Sequence, residues 1–178
     1  MSHIFGRSST KYIKSQPHHF PLATTFKQSY KTKKITKDFN NGRKEGGIVK
    51  KGHEEGLRLA TSLFQEFELP LGLLPLADVI EVGYVINTGY MWIVQKKKVE
   101  HEFKKISKLV SYDTEITGYF EKKRIKKLEG VKAKPKEFML WPPVSEITVD
   151  DPPTGKINFK SLAGITKNFL VEAFAAGQ

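Results

Sequence analysis

Apolar positions recur at three- and four-residue spacing between residues 53 and 67, then at two-residue spacing over most of the rest, so the pattern predicts one helix followed by a succession of strands. Leu57, Ala60, Leu63, Phe64 and Phe67 form the helical stripe, opened by Gly52-His53-Glu54-Glu55, whose acids complement the helix dipole. Pro70 has no amide donor and biases Leu69 toward extended geometry, which predicts a stop near Leu69 after about four turns. Residues 69–76 are apolar but broken by two prolines and a glycine, and read as a buried connector.

From Asp78 the period is two. Ile80, Val82, Tyr84 and Ile86, then Tyr90, Trp92 and Val94, alternate with further apolar residues about an Asn87-Thr88-Gly89 turn, giving a hairpin apolar on both faces. Val99, His101 and Phe103 share one face of a half-buried strand, and residues 110–120 repeat that pattern in a longer one. Further strands are expected at 124–131, 137–141, 145–149, 156–160 and 167–174, with 150–155 a tight loop dense in turn formers. Short turns and no crossover helices predict an α+β fold: an N-terminal amphipathic helix packed on a curved, barrel-like antiparallel β-sheet.

Charge divides the chain. The whole carries 30 Lys+Arg against 19 Asp+Glu, net +11; residues 1–52 hold 12 basic and 2 acidic side chains, net +10, which leaves +1 for 53–178. Residues 1–37 have no acid, eight Lys+Arg and ten Ser+Thr. This is the composition of a disordered extension, of an organelle transit peptide, or of a basic arm for nucleic acid or lipid. The expected organisation is thus a basic extension over 1–52 and a single domain over 53–178, with a cytoplasmic or organellar location. The chain has no cysteine, which excludes disulfide scaffolds and thiol chemistry. It also lacks an apolar run long enough for a membrane-spanning helix or a secretory signal core.

Candidate chemistry is sparse, and each candidate has an ordinary structural reading beside it. His101-Glu102 opens like a zinc-protease pair, but Lys105 stands where the second histidine belongs, so no metal is expected. Ser111 and Asp113 share a strand face and His101 is available for a hydrolytic arrangement, yet no nucleophile elbow is present. Pro153-Thr154-Gly155-Lys156 ends like a phosphate loop without its first glycine or its magnesium-binding hydroxyl, and reads as a turn; no cofactor is expected. The basic run 122–127 fits a lysine-rich hairpin tip and strand edge better than a nucleic-acid patch. The distinctive feature is aromatic surplus: Tyr84, Tyr90, Trp92, Phe103, Tyr112, Phe120, Phe138 and Trp141. These either fill a core or border a cavity for a small amphiphile, with Trp92, His101, Phe103, Tyr112 and Trp141 as the candidate ligand-binding set.

Six ordered stretches carry a resemblance: Leu69-Pro70 with Gly72-Leu73-Leu74-Pro75-Leu76, Glu81-Val82-Gly83-Tyr84, Thr88-Gly89-Tyr90-Met91-Trp92, Leu109-Val110-Ser111-Tyr112-Asp113-Thr114-Glu115, Leu128-Glu129-Gly130-Val131-Lys132-Ala133-Lys134 and Val149-Asp150-Asp151-Pro152-Pro153-Thr154-Gly155-Lys156-Ile157. Together they resemble the plant Domain of Unknown Function 538 family over about residues 53–174. Pro135-Lys136 and Pro142-Pro143 depart from its pattern. The resemblance implies a helix with a barrel-like sheet, an association with stress responses, and likeness to the lipid-binding bactericidal/permeability-increasing fold. It further implies binding or hydrolysis of chlorophyll, and it brings no catalytic residue set. The resulting expectation is a non-enzymatic module for a lipid-like or porphyrin-like amphiphile. The alternatives are an ester hydrolase acting on chlorophyll-like substrates, and nucleic-acid binding by the basic arm.

Overall fold

The helical stripe becomes α1 (His53–Glu66) in the computed structural model, which describes residues 42–134 and 142–177. Residues 1–41 of the basic extension and the strand expected at 137–141, with Trp141, lie outside the described residues. Glu54 and Glu55 occupy the first turn, and Glu55 pairs with Arg58 at 2.7 Å. The helix closes with Glu68 in the left-handed region, φ 54°, while the Leu69 amide donates to the Phe64 carbonyl at 2.8 Å. Gly56, Ala60, Leu63 and Phe64 are its buried face. A Cβ on Gly56 would lie 2.7 Å from Val79 Cγ1, so glycine lets the helix axis approach the sheet. The connector buries Leu69, Leu73 and Leu74 around a 3-10 turn at Leu71–Leu73.

Among the described residues nine strands form one antiparallel sheet: β1 (Ile48–Lys51), β2 (Val79–Tyr84), β3 (Tyr90–Gln95), β4 (Val99–Phe103), β5 (Lys108–Glu121), β6 (Arg124–Lys134), β7 (Val144–Val149), β8 (Lys156–Ser161) and β9 (Thr166–Leu170). The order is β1-β2-β3-β5-β6-β7-β8-β9, with β4 paired to β5 as well. β3 takes the second half of β5 and β4 the first half, so two short strands share one edge of a 14-residue strand. Neither pairs with Asp113 or Thr114, and there the Gln95 side-chain amide donates to the Tyr112 and Asp113 carbonyls at 3.2 and 2.9 Å. A buried glutamine thus serves backbone acceptors at the gap between the β3 and β4 pairings.

Two features differ from the periodicity. The strand expected to run to Phe174 ends at Leu170 and turns into a 3-10 segment, Val171–Phe174, that buries Ala173 and Phe174. Ile48–Lys51, on the extension side of the boundary drawn from composition, is a sheet strand paired with β2. A bulge between Val79 and Glu81 sends Ile80 outward and turns both Val79 and Val82 inward.

The sheet curls around one core. Phe174 lies 4.9 Å from Phe103 on β4 and 5.0 Å from Phe159 on β8, although four strand pairings separate β4 from β8 along the sheet. The described pairings nonetheless leave the ladder open, ending at β1 and β9, so the closure implied by a barrel is not part of them. The β2–β3 hairpin is apolar on both faces, as expected. Met91 and Ile93 join the main core, while Tyr90 and Trp92 form a second cluster with Val85, packed by Val94 and Tyr119. Trp92 lies across Gly83, where no side chain fits, and its Nε1–H donates to Glu81 at 2.6 Å. Lys44 caps this cluster, its ammonium 5.0 Å from the Trp92 ring and 3.4 Å from the Glu115 carboxylate.

Candidate functional site

The curl brings the β4–β5 connection close to the end of β9. Phe103 ends β4 and a 3-10 turn, Lys104–Ile106, follows; opposite, β9 runs directly into the Val171–Phe174 turn. Between them lies a groove of about 360 Å³ lined by Lys105, Ile106, Phe169, Leu170, Glu172 and Ala173. Its floor is continuous with an aromatic plug in which Phe174 contacts Phe103, Phe159 and Phe169. At the rim Lys105 Nζ donates to the Glu172 carbonyl at 3.3 Å, which leaves further ammonium donors for an anion. The groove thus has an apolar floor with one cation, Lys105, and one acid, Glu172, among its lining residues.

Of the five residues singled out from sequence, His101, Phe103 and Tyr112 share one face of the sheet. Phe103 and Tyr112 are buried on the inner face, and His101 is half-buried beside them, edge-on to Phe103 at 4.7 Å. Tyr112 donates its hydroxyl to the Leu73 carbonyl at 3.1 Å, and burial pushes its phenol pKa far up, so it stays neutral as a core residue. Trp92 projects from the opposite face, and Trp141 is outside the described residues. The groove residues themselves carried little sequence signal. The available clue is the aromatic concentration at Phe159, Phe169 and Phe174, which falls within the strands expected at 156–160 and 167–174.

Register does not bring Ser111 and His101 together for a hydrolytic arrangement. His101 pairs with Val110 and shares its face, whereas Ser111 is the next residue and projects from the other side. Ser111 is buried, and its hydroxyl has no hydrogen-bond partner among the described residues. The basic run also resolves into structure. Strand β6 is interior rather than an edge, and four of the five cations in the run 122–127 are matched: Lys122 with Glu68 at 2.9 Å, Lys123 with Asp151 at 2.8 Å, Arg124 with Glu146 at 2.6 Å and Lys126 with Glu121 at 2.6 Å, while Lys127 lies over the Tyr119 ring at 5.4 Å. A patch neutralised in this way has little charge left for phosphates.

Lys123 is a hub. Its hydrogen bond to Asp151 holds the Lys123 pKa above its ordinary value and that of Asp151 below. The Lys122 hydrogen bond lowers Glu68 in the same way. In the adjoining loop Thr154 and Asn158 both donate to Asp150, lowering its pKa, so the segment resembling a phosphate loop is closed by its own carboxylate. Among the described residues there is no cluster of three or more His, Cys, Asp or Glu side chains able to hold a metal, and no helix is long and apolar enough to cross a membrane.

Comparison with known proteins adds a family. A model of the family described as "Protein of unknown function, DUF538" matches residues 60–175. An uncharacterized protein of Arabidopsis thaliana is 28% identical over 112 residues, which is 63% of this chain and 60% of the relative's length. The aligned part therefore spans less than two thirds of that relative. No solved structure matches.

Proposed function

The chain belongs to the plant family of proteins of unknown function DUF538, and on that premise we propose that it is a non-enzymatic binding module for a small anionic amphiphile held in the groove between the β4–β5 connection and β9. The observation that carries this reading is the groove itself, about 360 Å³ with Ile106, Phe169 and Ala173 as apolar walls and Lys105 at the rim. That volume sits near the lower end of small-molecule sites, roughly 300–1,000 Å³, which favours a single acyl chain over a porphyrin macrocycle. A carboxylate head would take the Lys105 donors while the tail lies against the aromatic plug.

Displacement of a fluorescent fatty acid, with native mass spectrometry of the plant-derived protein, tests the proposal. Wild type should release the probe to competing fatty acid, and Ile106→Ser should weaken probe binding at least tenfold with a smaller loss of thermal stability than a fully buried residue would show, because Ile106 is half-buried at the edge of the core. Absence of both displacement and a co-purified ligand would overturn it.

A further inference from the structure

The β8–β9 hairpin ends in Ser161-Leu162-Ala163-Gly164-Ile165, and its two large apolar residues are among the most exposed in the fold, Leu162 at 74% and Ile165 at 63%. Lysines stand on both sides: Lys160 precedes the tip, Lys167 follows it, and Lys156 lies further down, all exposed. Residues 156–170 contain no acid, so the hairpin carries three positive charges and no negative one. Neither Lys160 nor Lys167 holds an ion pair among the described residues, in contrast to Lys122, Lys123, Arg124 and Lys126.

The tip backbone is already satisfied. Ser161 N–H donates to the Ile165 carbonyl at 2.8 Å and Leu162 N–H to the Pro143 carbonyl at 3.0 Å. Gly164 N–H donates to the Ser161 carbonyl at 2.9 Å, and Ile165 N–H to the Ser161 hydroxyl at 3.1 Å. Four of the five tip amides thus have partners within the protein. An apolar loop entering lipid pays heavily for unpaired amides, and this one has few to lose. The β2–β3 turn provides the contrast. Ile86 is 66% exposed there, but it stands alone beside Asn87 and Thr88 with no lysine next to it, as single exposed apolar residues ordinarily do.

We propose that the β8–β9 tip is a membrane-docking element, with Leu162 and Ile165 entering the interface of an anionic bilayer while Lys160 and Lys167 meet the lipid headgroups. Aliphatic side chains seated at the acyl boundary, with lysine stems extending outward to the charged surface, are a standard division of labour at such interfaces. Docking of the tip is independent of whether the groove holds a ligand. It would place the groove close to the membrane, since Phe169 lies four residues beyond Ile165, roughly 13 Å along an extended strand.

The absence of native cysteine gives a direct test on the full chain. Leu162→Cys carrying an environment-sensitive fluorophore should blue-shift on addition of phosphatidylcholine vesicles containing phosphatidylglycerol, and much less with phosphatidylcholine alone. Ile86→Cys labelled identically should not shift. In sedimentation with the same anionic vesicles, Leu162→Ser with Ile165→Ser should bind at least tenfold more weakly, and Lys160→Gln with Lys167→Gln about thirtyfold more weakly, at roughly a fivefold loss per lysine. Binding to anionic vesicles with an unshifted label at 162 would place the contact elsewhere on the chain and overturn the proposal. A shift that depends on protein concentration without vesicles would assign the tip to a second copy and also overturn it. Failed fatty-acid displacement alongside intact tip insertion would reject the groove reading alone.

Discussion

Two parts of the same inner face are filled by different means. Where α1 meets the connector that follows it, the hollow left between them, bordered by Leu57, Ala60, Phe64 and Leu74, is about 40 Å³. Where β4 faces β9, the cover is a short 3-10 turn on each side, and the groove left is about 360 Å³. A 14-residue helix is only about 21 Å long and cannot span a nine-stranded sheet. Beyond its reach the core is completed by rings from separate elements, Phe103, Phe159, Phe169 and Phe174, which meet at tilted or edge-on angles. A regular element presents a continuous ridge to the sheet, whereas rings converging from loops leave room between them. In this fold, the larger groove lies outside the reach of the helix.

The largest test of that contrast compares one phenylalanine from each part. Phe120 is 4% exposed, stacked on Phe67 at 5.1 Å and edge-on to Phe64 at 5.4 Å. Phe120→Ala should cost about 3–5 kcal/mol in urea unfolding. Phe169 is half-buried at the groove, so Phe169→Ala should cost roughly half as much or less, with its main effect on probe binding. Equal costs would mean that the groove end is packed as tightly as the helix end.

A smaller effect sharpens the filled side. Gly56→Ala improves intrinsic helix propensity by about 1 kcal/mol, but its Cβ would meet Val79 Cγ1 at 2.7 Å. Overpacking should outweigh propensity and leave a net loss of about 1–2 kcal/mol, read from the unfolding midpoint. A stabilised variant would show that α1 has slack against β2.

The same contrast explains what could be read from sequence. The helix and the alternating strands follow from local periodicity, and the Leu57 to Phe67 stripe needed no tertiary information. Ile48–Lys51 escaped because all four residues are exposed and the strand is held by backbone pairing to β2, which leaves no apolar alternation. Strand and 3-10 turn were indistinguishable between Phe169 and Phe174 because either geometry buries a phenylalanine at that spacing. Trp92 was grouped with Tyr112 because a hairpin apolar on both faces gives no sign of which face meets the core. The groove joins Lys105 and Ile106 to residues 169–173, a juxtaposition created by the curl of the sheet.

The smallest expected effect concerns the joint between the helix-covered part and the β7–β8 loop. Glu68, Asp150 and Asp151 have folded pKa values held below their ordinary ones, so their contributions are full above the ordinary carboxylate range and are lost as pH falls through the folded values. Lys123, raised, contributes in the opposite sense: its share is present below its ordinary value and is lost only as pH rises through the folded one. Neutralising two of these acids with Glu68→Gln and Asp151→Asn should therefore flatten the fall of the unfolding midpoint on the acid side, and the wild-type advantage should shrink with added salt. The Asp150 contribution would remain in that variant, because Thr154 and Asn158 still donate to it. Parallel acid limbs for wild type and variant would instead assign the joint to backbone bonds. Two such bonds converge on this residue: Lys123 N–H donates to the Phe67 carbonyl at 2.7 Å, and Val149 N–H donates to the Lys123 carbonyl at 2.8 Å. Neither titrates, so in that outcome the ion pairs would only decorate a turn that the main chain already fixes.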